Sequence, residues 1–284
     1  MHILVTGSKG QLGSEITELA ARYTHHNFIL TDIDELDISN KEAINTFFEN
    51  TPIDVLINCA AYTAVDRCET EKELARKINV LAVKLLAKAC TKHSVAMIQI
   101  SSDYVYDGNN HIPYKEIDFT NPQSYYGETK LEGEEMMEEF CSHGIIIRTS
   151  WLYSSFGNNF VKTILKYAQE REEMNIVYDQ IGTPTYAADL ATTILDGLDK
   201  LPFMKGIHTF NFSNEGVCSW YDFAQEIIKL KNIKCSIKPI ETFEYPLPAK
   251  RPAYSVLNKA KIKNELEIDI PYWKDSLERC LLKL

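Results

Sequence analysis

The chain has 284 residues with 45% hydrophobic and 25% charged side chains, which is ample for a buried core and typical of a globular enzyme. A net charge of −10, with no clustered basic stretch, argues against a nucleic-acid partner. No apolar run approaches the length of a membrane span, and the chain start lacks a secretory signal pattern, so we expect a cytoplasmic protein. The seven cysteines are odd in number and contain no CxxC pair, which favours free thiols over disulfides or a metal site.

Short apolar runs alternate with amphipathic stretches from the first residue onward. The predicted strands cover 2–6, 27–31, 53–59, 96–100, 144–149 and 175–178, and the predicted helices cover 11–23, 40–50, 71–93, 126–141 and 159–169. This alternation predicts an α/β fold, a Rossmann-type, doubly wound and mostly parallel sheet. Beyond Asp179 come predicted helices at 187–198 and 219–229, a strand at 207–212 and a proline-rich stretch. We therefore predict a dinucleotide-binding domain over 1–150, to which later segments return, and a mainly substrate-binding lobe over 151–284.

A glycine-rich turn directly follows the first predicted strand. Gly7, Gly10 and Gly13 have the spacing GxxGxxG, with Gln11 and Leu12 between the last two. Glycines allow a tight turn and close approach of the backbone to a pyrophosphate, and the following helix directs its N-terminus at the phosphates. The strand–turn–helix context predicts a dinucleotide site.

Two charged residues bear on which dinucleotide is bound. Asp32, nineteen residues past Gly13 at the end of the second strand, could accept hydrogen bonds from the adenosine ribose, which favours NADH. Lys9, inside the turn, could instead pair with the 2′-phosphate of NADPH, although a solvated loop lysine is an equal alternative. We expect use of both cofactors. Asp37 and Ile38, and the run Ala60, Ala61, Tyr62 and Thr63, lie where adenine and the nicotinamide ribose would pass.

A second motif points to the chemistry. Tyr126 and Lys130 are four residues apart and so share one face of a predicted helix. A phenol with an ammonium beside it is a proton donor whose pKa is expected to fall from about 10. Ser102, after the predicted strand 96–100, can hydrogen-bond the same carbonyl oxygen. Together with the glycine turn, this trio predicts reduction of a carbonyl by a nicotinamide cofactor.

At these positions the chain resembles the extended short-chain dehydrogenase/reductases, and within them the dTDP-4-dehydrorhamnose reductases. The resemblance rests on eight blocks that follow one another in family order: 7–13, 58–66, 101–108, Tyr126 with Lys130, 148–153, 157–160, 179–185 and 249–252. It implies NAD(P)H-dependent reduction of the C4 ketone of a dTDP-linked 4-keto-6-deoxy sugar, giving dTDP-L-rhamnose for cell-surface polysaccharide.

The resemblance also implies roles for individual residues. Tyr126 would donate the proton, Lys130 would activate it and bind the nicotinamide ribose, and Ser102 would orient the carbonyl. Asp103, Tyr104 and Trp151 would hold the sugar, and Asn159 and Arg251 the diphosphate, with a structural ion pair an equal alternative for Arg251. The chain departs from the usual family pattern at Ser102, Tyr106 and Tyr254, where threonine, phenylalanine and asparagine are common.

Other interpretations stay open. The same machinery could deliver the talose epimer, and the regulatory subunit of some methionine adenosyltransferases resembles this family without turnover. Some family members carry Mg²⁺ between subunits, for which Glu15 and Asp189 could correspond, but two scattered acids do not define a metal site. The sequence is compatible with a homodimer and does not fix the oligomeric state.

Overall fold

A computed structural model describes residues 1–199 and 206–284. The strands in chain order are β1 (His2–Thr6), β2 (Asn27–Thr31), β3 (Val55–Asn58), β4 (Ala96–Ser102), β5 (His143–Thr149), β6 (Leu152–Tyr153), β7 (Glu173–Val177), β8 (Ile181–Gly182), β9 (Thr185–Tyr186), β10 (Gly206–Phe212), β11 (Cys218–Ser219) and β12 (Ser236–Ile240). Six of them form one parallel sheet in the order β10-β5-β4-β3-β1-β2. The predicted α/β fold with a parallel Rossmann-type sheet is confirmed.

The α-helices in chain order are α1 (Gln11–Leu19), α2 (Lys41–Asn50), α3 (Val65–Cys68), α4 (Lys72–Arg76), α5 (Ala82–His93), α6 (Tyr125–Phe140), α7 (Phe160–Glu170), α8 (Ala187–Gly197), α9 (Trp220–Leu230), α10 (Ala260–Leu266) and α11 (Trp273–Leu281). Side chains alternate along the strands, so Ile3 and Val5 face α1 and α8 while Leu4 faces the cluster that holds residues of α2, α5 and α6. Both faces of the sheet are therefore covered, as the near-continuous apolar strands require.

The long helix predicted over 71–93 is interrupted. Between α4 and α5 the backbone takes a π-helical turn at Lys77–Leu81. Asn79 in this turn is buried, and its side chain binds both backbone groups of Tyr62 and the hydroxyl of Thr129 on α6. A Cβ on Gly133 of α6 would lie 2.3 Å from the carbonyl oxygen of Asn79. The widened turn thus fits Asn79 between the loop after β3 and α6, which periodicity alone could not reveal.

The predicted strand at 175–178 is present, but it does not belong to the main sheet. β7 (Glu173–Val177) pairs instead with β12 in a separate two-stranded sheet. β10 takes the place beside β5, and α8 packs against α1. The reason is the amphipathic pair α7 and α9, whose apolar faces pack together with β7 around Phe223 and Trp273 in a second core.

This second core defines the smaller lobe of the molecule. Its aromatic residues are in mutual contact: the rings of Tyr153, Phe160 and Trp273 pack around Phe223, and Tyr186 stacks on Tyr153. Segments before and after residue 150 both contribute to the main sheet and the helices that cover it. Helix α8 and strand β10 belong to this part, although they follow the first short strands of the smaller lobe in the chain. Among the residues that the structure describes, no helix combines the length and apolarity needed to cross a bilayer.

Candidate active site

The glycine turn between β1 and α1 is closed by backbone contacts. Gly7 has a φ of +66°, and a Cβ there would lie 2.7 Å from the backbone nitrogen of Ala60. A Cβ on Gly13 would lie 2.2 Å from the carbonyl oxygen of Gly7, whereas one on Gly10 would lie 3.2 Å away. Side chains at Gly7 and Gly13 are therefore excluded. No side chain caps α1 at its N-cap residue, Gly10, so the amides of the first turn are available to an anion.

Gln11 and Leu12 face in different directions from this turn. Leu12 is buried in the core beneath the sheet. The Gln11 amide donates to the carbonyl oxygen of Leu152 at 3.4 Å and accepts from Asn159 at 3.0 Å. Gln11 thus connects the glycine turn to the smaller lobe, while the Leu12 side chain belongs to the core and its cofactor contact stays a prediction.

Asp32 lies at the end of β2 against the turn. Its carboxylate accepts from the backbone nitrogens of Lys9 at 3.0 Å and of Ile33 at 2.9 Å. The ammonium of Lys9 instead pairs with Asp34 at 3.1 Å and Glu35 at 3.5 Å, and all three side chains are exposed. These contacts place Asp32 beside the glycine turn and hold Lys9 within an acidic surface group.

Asp37 and Ile38 have internal partners. Asp37 accepts from both the backbone nitrogen and the hydroxyl of Ser39, and these bonds lower the pKa of its carboxyl. Ile38 is buried in the core beside α2. Contact of Asp37 and Ile38 with adenine stays a prediction. In the structure, Asp37 stabilises a local turn and Ile38 packs in the core.

Residues 60–63, which follow β3, contact both the glycine turn and the surroundings of Tyr126. Ala60 lies against Gly7, and the backbone of Tyr62 is held by Asn79 at 2.8 Å and 3.0 Å. The Tyr62 ring packs in the same apolar cluster as Tyr126. Ala61 is partly buried beside it, and Thr63 is exposed. This run therefore connects the glycine turn to the predicted proton donor.

The helix that carries the predicted proton donor begins at Ser124, whose hydroxyl caps α6 by accepting from the backbone nitrogen of Gly127. Tyr126 and Lys130 are both buried on one face of α6. The Lys130 ammonium donates to the carbonyl oxygen of Ile100 on β4 at 2.7 Å, and burial lowers its pKa to about 8. Helix α6 thereby holds both groups against the carboxyl end of β4.

The protonation of Tyr126 differs from the expectation. Burial raises the pKa of its phenol, Asp103 adds to the rise, and a hydrogen bond with Ser102 opposes it. The predicted lowering by Lys130 is wrong for this state of the site, because desolvation dominates. The phenol therefore stays protonated at neutral pH. The ring of Tyr104 meets that of Tyr126 edge-on at 5.4 Å between centroids.

Ser102 and Asp103 stand beside Tyr126 at the end of β4. The Ser102 hydroxyl donates to Asp103 at 2.9 Å and accepts from the backbone nitrogen of Tyr104 at 3.2 Å. Burial raises the pKa of Asp103 to about 6, opposed by the hydroxyls of Ser255 and Ser102. Within residues 1–199 and 206–284, the second carboxylate oxygen of Asp103 and the hydroxyl of Ser255 are buried and have no hydrogen bond of good geometry. Such buried, underbonded oxygens mark a site that a ligand could complete.

Trp151 has a φ of +47°, which is rare for a bulky residue and costly unless its surroundings hold it. Its indole stacks on Trp220 with 3.6 Å between ring centroids and an interplanar angle of 10°. A Cβ on Gly182 would lie 2.7 Å from the indole, so only glycine fits beneath it. The strained backbone directs Trp151 into the smaller lobe.

Arg251 pairs with Asp66 at 2.7 Å and its side chain is 17% exposed. It also lines a cavity of about 360 Å³ in the smaller lobe. The other residues that line the cavity are largely apolar or aromatic: Phe160, Thr163, Ile164, Tyr167, Arg171, Met174, Asn175, Ile176, Val177, Gln180, Trp220, Tyr245 and Leu247. The structure thus contains the ion pair considered from the sequence and also brings Arg251 to a ligand-sized space.

Asn159 has a structural role. Its carbonyl caps α7 by accepting from the backbone nitrogen of Lys162 at 3.1 Å. Its amide donates to Gln11 and to the carbonyl oxygen of Ser154 at 2.7 Å. Contact with a diphosphate stays a prediction for a side chain whose polar atoms are already engaged.

Several residues of the site escaped the sequence analysis. Trp220 supplies the second ring of the indole stack, and Ser255 lies beside Asp103. No short-range pattern connects either one to its partner. Glu134 was also missed, although it follows Lys130 by four residues, as Lys130 follows Tyr126, and is buried on the same face of α6. Its spacing was a usable signal.

The residues considered for Mg²⁺ do not fit a shared cation. Asp189 accepts from Arg279 at 2.6 Å and 2.8 Å and also from Ser276 and Asn214. Glu15 accepts from Ser154 at 2.6 Å, and the ammonium of Lys283 lies 3.6 Å from its other oxygen. Each carboxylate therefore has a cation from the chain itself, which occupies the role that a metal would take.

Comparison with known proteins supports the family resemblance found in the sequence. The family model described as the RmlD substrate binding domain matches residues 1–284. The dTDP-4-dehydrorhamnose reductase of Aggregatibacter actinomycetemcomitans is 37% identical over 286 residues, which cover 98% of this chain and 97% of the relative. The chain is similar over its whole length to the crystal structure of a Clostridium acetobutylicum dTDP-4-dehydrorhamnose reductase, with 44% identity, a TM-score of 0.94 and complete coverage of both chains.

A further solved structure bears on the cofactor. The dTDP-4-dehydrorhamnose reductase of Bacillus anthracis, solved in complex with NADP, is 35% identical with a TM-score of 0.94, over 100% of this chain and 99% of that one. The sequence matches and the fold matches agree along the full chain. The chain belongs to the RmlD family of dTDP-4-dehydrorhamnose reductases.

Proposed function

We propose that this enzyme reduces the C4 ketone of dTDP-4-dehydro-6-deoxy-L-mannose to give dTDP-L-rhamnose, with NADPH or NADH as hydride donor. The observation that carries the proposal is the buried group of Tyr126, Lys130 and Ser102 at the carboxyl end of β4, beside the glycine turn of a Rossmann-type sheet. The reaction is the one that the names of the relatives describe.

Each of the three residues has a role that follows from its surroundings. Burial keeps the Tyr126 phenol protonated until a carbonyl oxygen beside it gains negative charge. The proton then passes from the Tyr126 oxygen to the substrate oxygen. The Lys130 ammonium favours the phenolate that remains, and the Ser102 hydroxyl orients the carbonyl. The reduced nicotinamide supplies the hydride when it is bound.

The cofactor would lie across the glycine turn. The backbone amides of the first turn of α1 would bind its pyrophosphate, and Asp32 would accept from the adenosine ribose. Lys9 has acidic partners of its own, so a 2′-phosphate would have to compete with Asp34 and Glu35. We propose that both cofactors are used and that Asp32 determines their ratio.

The substrate would span the cleft between the sheet and the smaller lobe. Asp103, with its underbonded oxygen, together with Tyr104 and Trp151 would hold the sugar. The cavity that Arg251 lines has aromatic walls and two arginines, Arg171 and Arg251, which suit a nucleoside diphosphate. We further propose that the enzyme works in the cytoplasm, where activated sugars for cell-surface polysaccharide are made.

The experiment measures the consumption of the reduced cofactor and the configuration of the product. Purified protein is mixed with the dTDP-linked ketone and either NADPH or NADH, and the loss of the reduced nicotinamide absorbance band is followed with and without a chelator. We expect turnover with both cofactors and no loss of activity on chelation, because Glu15 and Asp189 already have cations from the chain. NMR of the product should show the rhamnose configuration at C4. The talose epimer, or no turnover at all, would overturn the proposal.

A further inference from the structure

One buried charge near the reacting groups has no role in the chemistry described above. Glu134 follows Lys130 by four residues on α6, so Tyr126, Lys130 and Glu134 form one continuous stripe along the helix. Glu134 is 2% exposed. A carboxylate buried to this degree is rare and must be compensated by partners.

The partners of Glu134 come from two neighbouring strands. Arg148 on β5 donates from Nε to both carboxylate oxygens, at 3.0 Å and 3.2 Å, and from Nη2 at 2.6 Å. The hydroxyl of Ser101 on β4 donates to the same carboxylate. Ser101 and Arg148 are directly opposite each other in the parallel pair β4–β5. Glu134 therefore anchors α6 to two adjacent strands at one level of the sheet.

On the other side of the Arg148 guanidinium, Nη1 also has hydrogen-bond acceptors. Nη1 of Arg148 donates to the Tyr106 hydroxyl at 2.9 Å and to the carbonyl oxygen of Glu116 at 3.1 Å. The Tyr106 hydroxyl in turn donates to the carbonyl oxygen of Lys115 at 3.0 Å. Phenylalanine in place of Tyr106 would leave one Arg148 donor unpaired. These bonds hold the guanidinium from two sides, which suits a group that sets the position of its neighbours.

The same helix face contacts successive residues at the end of β4. Lys130 donates to the carbonyl oxygen of Ile100, Ser101 donates to Glu134, and Ser102 lies close enough to Tyr126 to lower the pKa of its phenol. A shift of α6 along β4 would break all three contacts together. The Glu134 contact is the one that also includes β5 and so is the most restrictive of the three.

We propose that Glu134 is a positioning residue for the reaction: it fixes the register of the Tyr126–Lys130 face against Ser102, and its negative charge holds Lys130 in the ammonium form. This inference rests on the proposed function, since it assigns Glu134 a part in that same proton transfer. Glu134 acts through Lys130 and Ser101 and does not itself contact the reacting atoms.

The electrostatics of Lys130 agree with this role. Burial lowers the pKa of Lys130 to about 8, and the charge of Glu134 opposes that shift. The elements packed against α6 carry other ionisable groups, among them Asp103, Cys68 and Lys77. Arg148 on β5 is a further charge and pairs with Glu134, and Glu134 is the neighbouring charge that raises the pKa of Lys130. Without it the ammonium would be lost at a lower pH.

The test compares Glu134→Gln with Glu135→Gln, which removes the same charge from the next, exposed position of α6. The turnover number is measured against pH for both variants and the wild type. Activity that needs the ammonium is complete below the Lys130 pKa and falls as the pH rises through it. In Glu134→Gln we expect this fall to move to lower pH by about one unit, so that turnover at pH 8 drops about fivefold. Glu135→Gln should follow the wild type.

A second variant covers the case in which Glu134→Gln fails to fold because Arg148 is left unpaired. Glu134→Gln combined with Arg148→Gln removes both charges of this ion pair, and we expect the alkaline fall to shift in the same direction in this double variant. An unshifted profile in either folded variant, or failure of both to fold, would reduce Glu134 to a purely structural residue. The absence of turnover in the wild type and in Glu135→Gln would instead contradict the proposed function itself.

Discussion

At the glycine turn, the groups that face the proposed cofactor are backbone atoms from one short stretch of chain, closed by contacts of Gly7 with Ala60 and of Gly13 with Gly7. Around Tyr126, the proposed reacting groups are side chains from the end of β4 and from α6, and Tyr62 from the loop after β3 packs in the same cluster. The first region depends on the absence of side chains, and the second on burial of polar ones. The two should therefore fail differently when they are changed.

The largest expected effect is at the chemical end. Tyr126→Phe removes the proton donor and should lower turnover by about 10²- to 10⁴-fold, the usual contribution of a general acid. Cofactor binding should change little, because the phenol acts chiefly in the transition state. Steady-state kinetics and cofactor titration by fluorescence measure both quantities. Tyr125→Phe is the matched control on the adjacent residue, and turnover near the wild-type value in Tyr126→Phe would refute the assignment.

At the glycine turn, by contrast, we expect a substitution to weaken cofactor binding. In Gly13→Ala the new methyl group would lie 2.2 Å from the Gly7 carbonyl oxygen, so the turn must move. We expect a loss of unfolding free energy of about 1–3 kcal/mol, as for other overpacked sites, together with weakened cofactor binding. Urea unfolding and cofactor titration test this. Gly10→Ala, where the contact is 3.2 Å, should have the smaller effect, and equal effects at both positions would show that crowding is not the cause.

Burial of Asp103 places its carboxyl in the proposed site and also lowers the stability of the folded chain when the group is ionised. Its pKa in the folded chain is raised to about 6 from 3.8, so folding favours the protonated form. This stabilisation is present at low pH and is lost as the pH rises through 6. Asp103→Asn should therefore be more stable than the wild type at pH 8, by about 3 kcal/mol at most, and the gain should shrink as the pH falls toward 4. Urea unfolding across this range measures it, and a constant difference would contradict the raised pKa.

The smallest effect concerns cofactor choice. Asp32→Ala should shift the ratio of catalytic efficiencies toward NADPH by roughly tenfold, because a hydrogen bond from the ribose to a charged acceptor is lost while a 2′-phosphate no longer meets a carboxylate. Glu42→Ala, which removes an exposed carboxylate from α2, is the control. If the ratio is unchanged in Asp32→Ala, this residue does not bind the ribose.

The difference between the two regions also explains how well each was predicted. The turn, β1, α1 and β2 are contiguous, and their pattern of glycines and apolar residues identified them with nearly the bounds that the structure shows. The pairing of β7 with β12 joins residues about sixty positions apart and was missed, because a strand pattern does not specify its partner. The stack of Trp151 on Trp220 was missed for the same reason.

The sequence by itself determined the parallel sheet, the glycine turn and the shared face of Tyr126 and Lys130, because each follows from local periodicity and from residue types with narrow conformational preferences. Only the tertiary structure decided that burial, and not the nearby ammonium, governs the Tyr126 phenol, and that Arg148 and Ser101 enclose Glu134. Desolvation and buried ion pairs depend on which distant segments exclude water from a group, and that is a property of the packed chain.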